Sequence, residues 1–520
     1  MALCHSRDVA PRRTILARTF KSLVYRIYSA KHWGFAEQSV SLCLSRAAPS
    51  LTARARALDR ATTRVHQSGV SMRGEACDGL VVETVNSVAG FRALELEWRA
   101  LEARLPALPF LTFDWLFTWW ETLAEKRLLV RDELFVLSFR DSSGVLVGVA
   151  PLMLTLRPSV GPLVARQLQL FGADPNLTEV RSLVVAAEDR GRVYGALLQH
   201  LQRHSERWDW LLLTAVPHSA ELTALIENAF ARVEWQRTLP EYTLELPTSF
   251  AAFKLSLSRN IKESLRKCYN SLKRNGLTFD FQALSRAEDV EPALAHFFRL
   301  HKLRAALPDT VAHPDAFAAE SSRRFLRAVC LRFAARGKLL LFQLRIGGRL
   351  VATRIGFVCE NTLYLYFSGY DPAFKQYSVM TTLVAESIRF AIERGLSAVN
   401  LSTGRDVSKL RWSPQETLYR DALVVTSSRR GRVTYDLCVL AKQAFYAAQQ
   451  HTHALDSLAR RRELGSRPQS EPGQAENPQR ESRRPPSGEF SAQRDPERSQ
   501  PERPESEQPP QRAKSKLGGR

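Results

Sequence analysis

The side chains with the most usable chemistry fall in one stretch, residues 338–412. Tyr370 closes an alternating run, TLYLYFSGY, and a phenol can give up a proton. Asp406 and Lys409 lie in the loop TGRDVSKLRW, with Arg411 just beyond. A carboxylate at a strand end can accept a proton, and the two cations can hold an anion. Glu386 is the other available carboxylate, but its surroundings read as mid-helix, so Asp406 is the better candidate base. Between Tyr370 and Asp406 runs Gln376-Tyr377-Ser378-Val379-Met380-Thr381, a loop entering a helix. The first turn of a helix leaves backbone N–H groups without partners, and these attract phosphate.

The elements that must position these groups are legible around them. KLLLFQLRI is a run of strand formers, and Gly347-Gly348 suits a hairpin that needs positive φ. RLVATRIGFV is a second strand, and Glu360-Asn361 turns into TLYLYFSGY. Period-two alternation places Tyr364, Tyr366, Ser368 and Tyr370 on one face of that strand. Leu363, Leu365 and Phe367 take the other. VMTTLVAESIRFAIER carries Val379, Leu383, Val384, Ile388, Ala391 and Ile392 at helical spacing, and Gly395 is placed to stop the helix. AVNLS is the last strand. The order is strand, strand, strand, loop, helix, strand.

Gly369-Tyr370-Asp371-Pro372, Ser378, Glu393-Arg394-Gly395 and Gly404-Arg405-Asp406 with Lys409, Arg411 and Trp412 give this stretch its resemblance to the GNAT acyltransferase superfamily. More narrowly it resembles the CelD-like branch, which is related to FemAB peptidyltransferases and linked to cellulose biosynthesis. The resemblance implies an α/β fold of tandem GNAT-like lobes, each a mixed β-sheet flanked by helices. It implies acetyl-coenzyme A or another acyl-coenzyme A as co-substrate, with Ser368, Gln376, Tyr377, Ser378, Val379, Met380 and Thr381 around it. Val379 and Thr381 stand where the family's Q/R-x-x-G-x-G/A motif has small residues. A backbone N–H near Ser368 to Tyr370 would polarise the thioester, Asp406 would take the acceptor's proton, Tyr370 would protonate the leaving thiolate, and Lys409 would bind an anionic group. Asn400 and Ser408 replace an acidic residue and a tyrosine of the family. The acceptor would be a small molecule or glycan precursor, with partner proteins of a polysaccharide biosynthesis complex. Two alternatives stay open: a non-catalytic GNAT-like binding module, and a FemAB-type peptidyltransferase using aminoacyl-tRNA.

Upstream, residues 72–246 read as a first lobe and 247–464 as the second. ELFVLSFR, VLVGVAPLML, the helix GRVYGALLQHLQRHSERW and the strand DWLLLTAV repeat the later order, which suggests an internal duplication. PFLTFDWLFTWWETL is crowded with aromatics, as a core helix or as a stacking platform for a sugar or coenzyme ring. SRNIKESLRKCYNSLKRNGL puts Ile261, Leu265, Cys268 and Leu272 on one face, and Arg259, Lys262, Arg266 and Lys273 on another. Such a face is a phosphate clamp, with Arg266 a coenzyme contact, or simply solvated. Aromatics do not interleave with these charges as a nucleic-acid groove needs, so no stable nucleic-acid partner is expected. His296 and His301 read as structural, because no carboxylate lies at ligand spacing.

Residues 1–71 read as a disordered or mis-assigned N-terminal extension, since the family-like pattern starts only after Met72. Residues 465–520 are rich in Pro, Glu, Arg and Ser and read as a disordered tail. The net charge of +21 favours polyanionic partners in principle, but the basic residues are dispersed. Seven cysteines are scattered without C-x-x-C, which argues against disulfides and a zinc site, and suits a reducing, cytoplasmic setting. No run reaches the length of a membrane helix. Ser-His-Asp and Walker signatures do not stand out.

Overall fold

Gly347 and Gly348 both take positive φ, 55° and 78°, and fold the strands on either side into a tight hairpin. The computed structural model describes residues 74–443 apart from 160–163, 175 and 308–312. The chain divides into two units, residues 1–453 and 454–520, and every described residue belongs to the first. The expected N-terminal extension, the tail and most of the closing helix lie outside the described residues; residues 429–443 are helical.

The first half runs β1 (Glu75–Cys77), β2 (Leu80–Val85), α1 (Val88–Ala93), α2 (Glu95–Glu102), α3 (Phe113–Leu123), β3 (Lys126–Arg127), β4 (Val130–Arg140), β5 (Leu146–Arg157), β6 (Ala165–Leu170), β7 (Val184–Val185), α4 (Arg190–Arg203), β8 (Trp210–Pro217), α5 (Ala220–Ala229) and β9 (Val233–Glu245). The second runs α6 (Phe250–Ser256), α7 (Arg259–Arg274), β10 (Phe279–Leu284), α8 (Ala287–Ala305), α9 (Glu320–Ala335), β11 (Leu339–Ile346), β12 (Arg349–Cys359), β13 (Thr362–Tyr370), α10 (Val379–Glu393), β14 (Ala398–Thr403), α11 (Val407–Leu410) and β15 (Gln415–Val425).

The described strands form one mixed sheet, ordered β1-β2-β4-β5-β6-β8-β15-β9-β14-β13-β12-β11-β10. Read inward from the two ends toward the central β15–β9 pair, the two wings match. Each has an antiparallel run, then one parallel pair joined by a helix: β6-α4-β8 in the first half and β13-α10-β14 in the second. This is the duplication expected from the sequence. The final strands are exchanged. β9 follows β8 but pairs with β14, and β15 follows β14 but pairs with β8, while β9 and β15 pair with each other. The strand that ends the second half therefore lies against the first.

Helices cover both faces. α10 packs Val379, Leu383, Val384 and Ile388 on the sheet with Leu340, Phe342, Leu363 and Leu365. Its C-terminus closes with Gly395 at φ 73° and a Leu396 N–H donating to the Ala391 carbonyl at 3.0 Å. α7 buries Ile261, Leu265, Cys268 and Leu272, the face its spacing predicts. On the opposite side one cluster joins the halves: Phe110, Trp115 and Phe117 pack with Phe325, Phe357, Tyr364 and Tyr366. The aromatics of α3 are thus core, with Trp115, Trp119 and Phe113 each at most 2% exposed.

Candidate active site

β13 does not alternate cleanly. Its pairing with β12 steps from Arg354↔Ser368 to Gly356↔Leu365, a β-bulge that gives β13 one extra residue. The expected faces are corrected accordingly. Phe367 packs with Tyr364 and Tyr366, its ring 4.6 Å from that of Tyr366. Tyr370 joins Leu363 and Leu365 on the α10 side. An inserted residue flips the register beyond it, and the apolar pattern carries no mark of the insertion.

Beyond the bulge β13 and β14 part. They pair only at Thr362↔Ala398, Leu363↔Val399 and Tyr364↔Asn400. Asp371 N–H donates to the Val351 carbonyl at 2.8 Å. By the alternation of an antiparallel ladder, the N–H groups of Tyr370 and Ser368 then turn away from β12, toward the edge β14 has left. α8 holds this edge. His301 Nδ1 donates to the Ser368 carbonyl at 3.0 Å, and Arg304 donates to Ser368 Oγ at 2.8 Å. Gly369 allows the approach, because a Cβ there would meet the His301 nitrogen at 2.4 Å.

The head of α10 lies on the α10 side of the same gap. A 3-10 turn over Pro372–Tyr377 delivers Ser378 in the left-handed region, φ 50°, with no side-chain cap. Among the described residues the N–H groups of Val379 and Met380 have no acceptor. Arg411 comes to the first turn of α10, donating to Thr381 Oγ1 at 3.5 Å and to Ser264 Oγ of α7 at 2.7 Å. Beneath lies the Cys268 thiol, raised by burial, with Ser378, Thr382 and Arg411 opposing. Uncapped amides beside a guanidinium are suited to phosphate.

On the opposite face the gap holds a buried polar group. Lys409 Nζ donates to Ser402 Oγ at 3.0 Å and to the carbonyls of Thr403 and Gly404. Burial lowers its pKa, and Arg354 and Arg304 add to this against Glu179 and Asp406. Glu179 comes from the first half, between β6 and β7, and accepts from the Tyr364 hydroxyl at 2.6 Å and from Thr403 N–H at 3.3 Å. Glu241 on β9 accepts from the Tyr419 hydroxyl at 3.0 Å, while its Oε1 is buried without a partner. Burial raises the Glu241 pKa, with Asn400 and Tyr419 opposing. Arg354 on β12 is pushed down to about 10 by burial, and its Nε is buried and unpartnered. Asp406 caps α11, accepting from Ser408 N–H at 2.7 Å. Burial works to raise Asp406, but the Ser408 hydrogen bonds and the charges of Lys409 and His313 leave it lowered.

The structure therefore distributes the expected residues. Ser368, Tyr370, Asp406 and Lys409 border the gap, the last two behind it and Tyr370 on the α10 side. Val379 contributes its backbone, because its side chain is core at 2% exposure. Tyr377 is tied to Asn275 by a 2.8 Å hydrogen bond, and Gln376 is exposed. Arg266 lies on the exposed basic face of α7 with Lys267, Lys273 and Arg274. Glu179, Glu241, Arg304 and Arg354 escaped the sequence reading. Arg354 alone left a signal, a charge inside the apolar run LVATRIGFV.

The fold is a mixed α/β one, a single large sheet of two matching wings flanked by helices. Residues 259–410 match the family described as acetyltransferase (GNAT) domain. Similar solved structures include FemX, at 10% identity over 63% of this chain and 95% of that chain, TM-score 0.42. A tandem GNAT protein from the clavulanic acid biosynthesis pathway is 10% identical over 67% of this chain and 99% of that one, TM-score 0.37. A conserved protein of unknown function from Bacteroides thetaiotaomicron VPI-5482 is 11% identical over 66% and 99%, TM-score 0.39. No curated protein matches the chain. Among the described residues no helix is long and apolar enough to cross a membrane.

Proposed function

We propose that this chain is an acyl-coenzyme A-dependent N- or O-acyltransferase, with acetyl as the acyl group, acting on an amine- or hydroxyl-bearing small molecule or glycan precursor. The observation that carries this reading is the parting of β13 and β14 with the uncapped head of α10 beside it. The coenzyme phosphates sit on the Val379 and Met380 amides and Arg411, and the thioester lies along the β13 edge. The N–H groups of Ser368 and Tyr370 receive the charge that develops on the carbonyl oxygen. The acceptor enters from the opposite face, where Arg354 and Lys409 hold an anionic portion of it. A base works best when its pKa approaches the working pH, so Glu241, raised by burial, takes the proton more readily than Asp406, which is held ionised. Tyr370 protonates the departing thiolate. The two lobes, 72–246 and 247–464, and the CelD-like assignment belong to the same proposal.

The test is a titration of the full-length chain with acetyl-coenzyme A followed by thermal unfolding. A specific ligand at about a hundred times its dissociation constant adds about 2.7 kcal/mol. No shift with acetyl- or longer acyl-coenzyme A sinks the proposal, and a shift without transfer to any amine or sugar acceptor leaves a binding module. The basic face of α7 favours a second reading, transfer from aminoacyl-tRNA. Salt-dependent tRNA binding that is lost on neutralising Arg266 and Lys273 would select it.

A further inference from the structure

At the far edge of the sheet the fold assembles a group of side chains that no short motif announces. Glu75 and Cys77 are two apart in β1 and so share a face. His200 lies in α4, and His204, its C-cap, follows one turn later. One ligand atom each from Glu75, Cys77 and His200 lie within 4.8 Å of one another. His200 is 1% exposed, yet neither ring nitrogen has a hydrogen-bond partner, and neither does Glu75 Oε2. Its Nδ1 lies 3.2 Å from that oxygen, within ion-pair reach but without hydrogen-bond geometry.

A buried imidazole with two idle nitrogens forfeits hydrogen bonds that water would supply, so the arrangement calls for another partner. A simple ion pair does not answer. The contact with Glu75 reaches only Nδ1, without hydrogen-bond geometry, and leaves Nε2 with nothing.

We propose that Glu75, Cys77 and His200 bind one divalent metal ion of the zinc class, fastening the edge strand β1 to α4. Thiolate, imidazole and carboxylate together select zinc over magnesium or calcium, and ligand atoms 4.8 Å or less apart need only a small inward movement to reach bonding distance. The metal takes the place of the Cys77 thiol proton, which is released to solvent. Arg203 donates to Cys77 Sγ at 3.0 Å, so the thiol is held in place beside α4. His204 Nε2 lies 2.9 Å from Glu75 Oε1 and orients that carboxylate from outside the coordination sphere. The site is remote in sequence from residues 259–410 and is independent of the acyltransferase proposal.

The full-length chain, stripped by a chelator and kept reduced, is titrated with cobalt(II) and then with zinc(II). The expected result is one cobalt per chain with a thiolate-to-cobalt charge-transfer band, displaced by zinc. Cys77→Ser should abolish the band. His204→Ala should weaken zinc binding by about 10- to 100-fold, the usual effect of removing an outer partner. Zinc should raise the thermal midpoint of the parent chain and not that of Glu75→Gln. Glu75→Gln keeps the side-chain volume at a half-buried position, so it reports even if Cys77→Ser or a His200 variant fails to fold. Absence of the band in the parent chain, or an undiminished zinc shift in Glu75→Gln, overturns the proposal.

Discussion

Gly369→Ala tests the geometry of the proposed site most directly. An added Cβ would stand 2.4 Å from the His301 backbone nitrogen, 2.6 Å from the Leu300 carbonyl carbon and 2.8 Å from the His301 Cα. Ordinary contact begins at 3.4 Å, so β13 and α8 must separate by about 1 Å, and the obstacle is helix backbone, which cannot swing aside. Overpacking of this kind costs about 1–3 kcal/mol. The movement also disturbs His301 Nδ1 to the Ser368 carbonyl and Arg304 to Ser368 Oγ, the bonds that fix the edge proposed to carry the thioester. A displacement of about 1 Å in a reacting geometry costs about 100-fold in rate. Gly356→Ala is the control, since its Cβ meets only the tips of Leu363 and Phe342, at 2.8 and 3.0 Å. Urea midpoints and acetyl-coenzyme A affinity are measured for both. The expected outcome is a larger stability loss in Gly369→Ala, accompanied by weaker binding. Equal midpoints for the two variants would refute the claim that α8 is seated rigidly on β13.

Arg411→Ala should leave the fold intact and weaken acetyl-coenzyme A binding by about 10- to 100-fold, the worth of one charged hydrogen bond of about 1.5–3 kcal/mol; calorimetric titration measures it. For Glu241 the folded pKa is raised above 4.5, so its stabilising effect is complete below that pH and is lost as pH rises through the folded value. Glu241→Gln should therefore flatten the decline of the urea midpoint above pH 4.5 and remove acyl transfer; parallel curves for parent and variant would count against the burial argument. Asp114 has the opposite sign: burial works to raise its pKa, but Arg99 and Arg336 hold it below 3.8. Its contribution is present above pH 3.8 and lost as pH falls through the folded value, so Asp114→Asn should cost about 1–3 kcal/mol at neutral pH and shrink the acid limb of the unfolding curve.

How far the sequence could be read depends on what each feature is made of. Strand and helix limits from β11 to β14 follow from period and punctuation. TLYLYFSGY spans β13 end to end, and Ile261, Leu265, Cys268 and Leu272 mark the buried face of α7. The bulge in β13 was not legible, because Tyr366 and Phe367 suit either face and only the partner strand counts the extra residue. Glu179 was less legible still. It sits in irregular chain between β6 and β7, and its function depends on Tyr364 and Thr403, about two hundred positions later in a half that its own neighbours do not describe.

That long reach constrains the architecture. The gap between β13 and β14 takes Glu179 from the first half, and its outer wall is β9, also from the first half, which brings Glu241. β15 returns from the second half to pair with β8. Neither half thus keeps its own closing strand. Without the first half, Tyr364, buried with its hydroxyl pKa raised well above 10, would lose the carboxylate it donates to. A buried hydroxyl left without an acceptor costs about 1–3 kcal/mol, and β14 would present an open edge where β9 now lies. The exchange of closing strands has therefore made the proposed cleft of one half depend on the other's loop and strand, so residues 259–410, though they carry the family match, do not by themselves supply all of its walls.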